Sequence, residues 1–227
     1  MTLPPPHVRA VVFDFDGTLF LTADAIVHSF CAALESVRRT SARPSDIVRL
    51  IGRPLREMFL TFAPDATSAE LDALVAAYRV VFARVAPDRC RPAPGFDIAI
   101  PALSAGGIRM AIVTHRMADG ARMILDRFGA RHWFEALIAL EDIRRPKPAP
   151  DPMWQALETL GVRPEESAAV GDTPDDVRAG VAAGMYTVAV ETAIHSRARL
   201  LEAGAHHIVG SLAELPALLM PAARDGT

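Results

Sequence analysis

Apolar and polar positions alternate in two different rhythms along this chain. The stretch VVFDFDGTLF, Val11 to Phe20, opens as the continuous apolar run of a buried strand and then places Asp14 and Asp16 two residues apart. From Thr22 to Arg39 the spacing turns helical, with Ile26, Val27, Phe30, Leu34 and Val37 on one face and Thr22 placed as cap. A second helical region covers residues 45–62, interrupted at Gly52 and Pro54. A third begins with the capping box Thr67-x-x-Glu70 and repeats Leu71, Leu74, Val75, Tyr78, Phe82 and Val85. This helical block is expected to end at Pro87, followed by the stiff, turn-forming link RPAPG that closes at Gly95.

Beyond Phe96 short apolar strands alternate with helices. The pattern predicts a helix to Gly106, a strand over Arg109–Val113, a helix over Ala118–Phe128 and a strand over Ala136–Leu140. It continues with a helix over Pro152–Leu160 (Asp151 as cap, Gly161 as stop), a strand over Ala168–Val170, a helix over Pro174–Ala183 and a strand over Tyr186–Val190. That βαβ rhythm implies a parallel sheet flanked by helices, interrupted after its first strand by an all-helical insert. The expected fold class is α/β, a Rossmann-like core made of residues 1–20 and 92–227 with a helical domain at 21–91. The last residues, AARDGT, read as a frayed tail.

Composition narrows the class of partner. With 227 residues and 51% apolar content the chain can bury a sizeable core. Its 24 basic residues are outnumbered by 27 acidic ones and form no long run, so no nucleic acid or anionic membrane is expected as partner. The start, MTLPPPHVRA, has no apolar run behind a basic segment, and no stretch reaches spanning length without charge; a cytoplasmic location is expected. Cys31 and Cys90 are expected to be free thiols.

The acids at the end of the first strand raise the chemical question. Asp16-Gly17 is also a hairpin signal, but side chains two apart in a strand share a face, where two carboxylates repel. The carboxyl edge of an open α/β sheet is where ligands bind, and a divalent metal held by oxygen ligands would relieve the repulsion. Later strands run into Thr114-His115, RRPKPAPD with Lys147, and GDTPDD, so parallel strands would gather Asp14, Asp16, Thr114, Lys147, Asp172 and Asp176 in one crevice.

These four stretches, DFDGTLF, Thr114, RPKPAPD and GDTPDD, resemble the four motifs of the haloacid dehalogenase superfamily, in order and across nearly the whole chain. The helical insert resembles the small α-helical cap of the branch that contains phosphoglycolate phosphatases and β-phosphoglucomutases. The resemblance implies a magnesium-dependent phosphatase of a small phosphorylated metabolite, phosphoglycolate first, acting as monomer or homodimer. It further implies that Asp14 is the nucleophile that forms an aspartyl phosphate, and that Asp16 is the acid and then the base. Thr114 and Lys147 would hold the phosphoryl oxygens. Magnesium would bind the carboxylates of Asp14 and Asp172 and the backbone carbonyl of Asp16, with Asp176 close by. A phosphoglucomutase-like transferase and, more remotely, a phospho-accepting signalling module remain alternatives.

The chain departs from the family pattern at two positions. Leu21 stands where many relatives carry an acid, and His115 stands where Asn is frequent; His115 either caps the next helix or faces the substrate. In the cap stretch IGRPLREMF, Arg53 and Arg56 are candidates to read a carboxylate through the planar guanidinium fork.

Overall fold

The structure, a computed structural model, describes residues 7–39 and 42–220; the tail AARDGT lies outside the described residues. Strands β1 (Ala10–Phe13), β2 (Phe20–Leu21), β3 (Arg91–Pro92), β4 (Arg109–Val113), β5 (Ala136–Ile138), β6 (Ser167–Gly171), β7 (Tyr186–Val190) and β8 (His207–Val209) form two sheets. The larger is parallel, in the order β5-β4-β1-β6-β7-β8. The chain builds outward from β1 through β4 to β5, then returns to β6 on the other side, so β1 sits at the point where the winding reverses. Phe13 at the end of β1 is flanked by Ile112 of β4 and Val170 of β6. The residues just beyond these three strand ends are therefore neighbours.

The helices are α1 (Ala23–Ser36), α2 (Pro44–Val48), α3 (Leu55–Phe62), α4 (Ser68–Arg89), α5 (Phe96–Ala105), α6 (Ala118–Arg127), α7 (Asp151–Leu160), α8 (Pro174–Ala182), α9 (Arg197–Glu202) and α10 (Leu215–Leu219). The first four make the cap between β2 and β3, which pair antiparallel where the chain leaves and re-enters the core. Phe20 of β2 fixes this ribbon, its ring 4.9 Å from Phe15, 5.3 Å from Phe96 and 5.6 Å from Phe128. Inside the cap, α1 packs along α4, and Phe30 stacks on Phe59 at 4.1 Å. Among the described residues, no helix is long and apolar enough to cross a membrane, and both cysteines are free thiols.

Local departures from the sequence pattern have physical causes. Helix α4 runs through Pro87 to Arg89, because a proline in the last turn removes only one late donor and the Cys90 N–H still bonds to Ala86 at 2.9 Å. The third core strand stops at Ile138 rather than Leu140: the Asp142 carboxylate accepts the Ala139 N–H at 3.0 Å and turns the chain into a 3₁₀ turn. Asp151 is the first residue of α7 rather than its cap, and its carboxylate takes Arg145 instead.

The cap is seated on the core at the carboxyl edge of the sheet. The His115 ring accepts the Lys147 backbone N–H on Nε2 at 3.1 Å, which leaves Nδ1 as the donor to the Gly52 carbonyl of the cap at 2.6 Å. Gly52 has a φ of +100°, and a Cβ there would stand 3.1 Å from Thr173, so glycine lets the cap backbone approach the core. Burial, and then the charge of Lys147, push the His115 imidazole down to about 4.

The consequence is a pH-dependent seat. The folded chain keeps His115 neutral, whereas the unfolded chain takes up its proton near pH 6.5, so this contribution is complete above about pH 6.5 and fades as the pH falls toward 4. Thermal melts of wild type and His115→Gln should differ most at neutral pH. The gap should narrow by up to about 3 kcal/mol on acidification. A gap that does not change with pH would show that the ring is not held neutral.

Candidate active site

The ends of β1 and β6, the start of α8 and the segment after β5 deliver three acids and one lysine into a single buried cluster. Asp14 follows β1 directly, its N–H bonded to Val170 at 2.8 Å, which carries its carboxylate past the end of the sheet. Asp172 follows β6 and is fixed by the Thr18 hydroxyl at 2.8 Å. Gly17, at φ +94°, makes this approach possible, since a Cβ there would lie 2.5 Å from an Asp172 oxygen. Asp176 sits in the first turn of α8 in a reciprocal cap with Thr173: one oxygen accepts the Thr173 N–H at 3.0 Å and hydroxyl at 2.6 Å. Its other oxygen is left for Lys147.

Lys147 reaches in from the segment between β5 and α7. Its ammonium lies 2.6 Å from Asp14 and 2.6 Å from Asp176, and it donates to the Val113 carbonyl at 3.2 Å. All three donors of the ammonium are thereby used. Burial alone would pull its proton affinity down, but Asp14 and Asp176 outweigh burial and hold it charged. Lys147 in turn keeps Asp176 below the usual carboxylate range against the pull of burial.

One ammonium is not enough for three buried carboxylates. Asp14 is pushed up to about 7, chiefly by burial and then by Asp176, and Asp172 is raised well above its ordinary value by burial and by Asp14. Oxygens of Asp14, Asp172 and Asp176 lie within 4.8 Å of one another, and Asp14 Oδ2 is buried with no hydrogen-bond partner. A close set of hard oxygen donors with excess negative charge and one bare lone pair fits a divalent cation of the magnesium or calcium type.

Asp16 turns away from this cluster. Its carboxylate takes Arg116 through Nη2 at 2.6 Å and Nε at 3.1 Å, and accepts the Thr22 hydroxyl at 2.6 Å. Thr22 stands at the N-cap position of α1, yet its hydroxyl serves Asp16 rather than the helix. The two aspartates that share a strand end thus have separate cations, Lys147 for Asp14 and Arg116 for Asp16. Arg116 also reaches the cap: its guanidinium lies 4.3 Å above the Phe82 ring.

Thr114, at the end of β4, is buried, and its hydroxyl accepts the Arg116 N–H at 3.1 Å, so its own proton is left to donate. A cavity of about 680 Å³ opens between core and cap, lined by Asp14, Asp16, Thr114, His115, Arg53 and Arg56 among others. Arg56 pairs within the cap with Asp72 and donates to Ser68 Oγ at 2.8 Å. Arg116 is the site residue that a reading of the sequence passes over. Its one signal is a basic residue two positions after Thr114, and nothing in the spacing announces its reach to Asp16 or to Phe82.

The haloacid dehalogenase-like hydrolase family model matches residues 11–190. A curated relative, the pyrophosphatase PpaX of Halalkalibacterium halodurans, is 29% identical over 209 residues, covering 92% of this chain and 95% of that protein. Among solved structures, a haloacid dehalogenase-like hydrolase from Bacteroides fragilis superposes with a TM-score of 0.86 at 24% identity, over 92% of this chain and 99% of the other. CbbY from Rhodobacter sphaeroides, solved in complex with phosphate, gives 0.82 at 25% identity, over 92% and 96%. With a family match that spans most of the chain and a fold shared over nearly all of it, this protein is a member of the haloacid dehalogenase-like hydrolases.

Proposed function

We propose that the protein is a magnesium-dependent phosphatase that works through an aspartyl phosphate on Asp14. The observation that carries this reading is the state of Asp14: one oxygen bound to Lys147, the other bare, in a cluster of acids that one lysine cannot neutralise. The carboxylates of Asp14 and Asp172 and the backbone carbonyl of Asp16 would hold the ion, with Asp176 beside them. When bound, the ion screens the charge between Asp14 and an incoming phosphate.

The chain's own groups divide the remaining work. The Thr114 hydroxyl binds a phosphoryl oxygen, Lys147 turns the donor now on the Val113 carbonyl to another, and together they set the phosphorus in line with Asp14. As a carboxylate oxygen of Asp14 bonds to phosphorus, the bond from phosphorus to the leaving oxygen breaks, and Asp16 gives that oxygen a proton. Water then attacks the aspartyl phosphate, Asp16 takes the water's proton, and the bond from phosphorus to Asp14 breaks, which restores the carboxylate. Arg116 and Thr22 hold the Asp16 side chain away from Asp14, so it swings from Arg116 toward the leaving oxygen to make both proton transfers. Of the two arginines expected to read a substrate carboxylate, Arg56 already has Asp72, which leaves Arg53 as the better candidate.

Release of inorganic phosphate from a panel of phosphate esters and pyrophosphate, with magnesium present, is the direct test. Asp14→Asn should remain folded by circular dichroism and lose turnover by at least roughly 10³-fold. A variant that retained most of the activity would remove the covalent step. Chelation should stop phosphate release, magnesium should restore it, and calcium, with longer bonds and looser geometry, should restore it poorly. Magnesium should also raise the melting temperature of the wild type and do so less for Asp172→Asn, because a ligand that binds only the folded state stabilises it. Full activity in excess chelator would take the metal out of the scheme.

A further inference from the structure

The cavity is far larger and more apolar than the phosphoryl chemistry requires. At about 680 Å³ it falls in the range of pockets that enclose a drug-sized organic molecule. The groups assigned to the phosphoryl transfer all come from the carboxyl edge of the sheet and use only that end. A pyrophosphate or a two-carbon phosphorylated acid would leave most of the space unfilled.

Helices supply the rest of the wall. From α4, Val75, Ala76, Arg79 and Ala83 fall on one face at helical spacing. The alanines on this face are exposed, so the wall stands back from the cavity instead of filling it. Also lining the cavity are Met117 just before α6, Met123 within it and Leu140 just after β5, each only partly buried. Ile51, Leu55 and Met58 contribute from the stretch around α3. Methionine is the side chain best able to reshape itself around a ring, and its sulfur makes favourable contacts with ring edges.

This space is not a gape left by a lifted cap. The His115 bond to Gly52 and the stacking of Arg116 on Phe82 both join core to cap beside the cavity, so the volume belongs to the seated cap. Resting on the phosphatase reading above, we infer that the site takes a phosphate monoester whose alcohol part is bulky, ring-bearing and largely apolar. The phosphoryl group lies against Asp14 and the ring lies between α4 and the methionines.

The test compares 2-(naphthyl)ethyl phosphate with ethyl phosphate and pyrophosphate, using the full chain with magnesium. The two alcohols are of similar acidity, so the ratio of their kcat/KM values reads recognition of the ring and not intrinsic reactivity. The naphthyl ester should be preferred over ethyl phosphate by about tenfold or more, as expected when one large apolar group is buried. Ala76→Trp and, independently, Ala83→Trp should bring that ratio back toward one by filling the wall; each variant is first checked for an intact fold by circular dichroism. Ethyl phosphate turned over as well as the naphthyl ester overturns the inference and leaves the phosphatase reading standing. A preference that persists in both tryptophan variants overturns the placement of the ring. No phosphate released from any of the three compounds overturns the phosphatase reading, and the inference falls with it.

Discussion

The ammonium of Lys147, held between Asp14 and Asp176, is the contact on which the arrangement of this site depends. Breaking a buried ion pair by removing one partner is costly, of the order of 3–5 kcal/mol, because the remaining charge has neither water nor partner. Here the lysine has two such partners, so its loss would leave two buried acids unpaired. That constraint reaches outward. Asp176 must offer one oxygen to Lys147 and the other to Thr173, which fixes the start of α8, and the Lys147 backbone N–H fixes the His115 ring that seats the cap. A single cation thus ties the first strand, the last functional helix and the cap contact to one point.

The same cluster shows why stability and function pull against each other. One lysine among three buried carboxylates leaves Asp14 pushed up to about 7, and a fold selected for stability alone would have replaced an acid or added a donor to Asp14 Oδ2. The unbalanced charge is what makes the cluster one that could hold a cation. Asp16 is treated differently, with Arg116 and Thr22 satisfying it fully inside the chain. Two acids two residues apart therefore have different environments, the arrangement by which a pair of carboxylates can take different chemical parts.

Much of this was legible in the sequence because strand ends are. A buried apolar run that ends in acid has only one place to put that acid in a parallel sheet, and Asp14, Lys147, Asp172 and Asp176 do meet at the carboxyl edge. The capping box at Thr67 and the strands at Arg109–Val113 and Tyr186–Val190 follow from local patterns in the same way. What stayed hidden depends on distance across the fold. Arg116 belongs to a loop whose sequence gives no period, and its partners lie 100 residues back at Asp16 and 34 residues back, in the cap, at Phe82. His115 could be read as a cap or a substrate contact, but a bridge from the Lys147 backbone to the cap carbonyl of Gly52 has no local signature. The two-residue strands at Phe20 and Arg91 are too short for a pattern and exist because the chain has to leave and re-enter the core side by side.

That division also separates what the sheet fixes from what it leaves open. Asp14 and Asp172 sit just past strand ends, where a shift of one residue would move a side chain to the other face of the sheet, so their placement is tied to the register of β1 and β6. The wall of the cavity is a helix face, Val75, Ala76, Arg79 and Ala83, opposed by flexible methionines. Substitutions there alter volume and polarity without disturbing the sheet. The sheet therefore fixes where the acids and Lys147 meet, and the helices around them set the size and texture of this chain's own cavity.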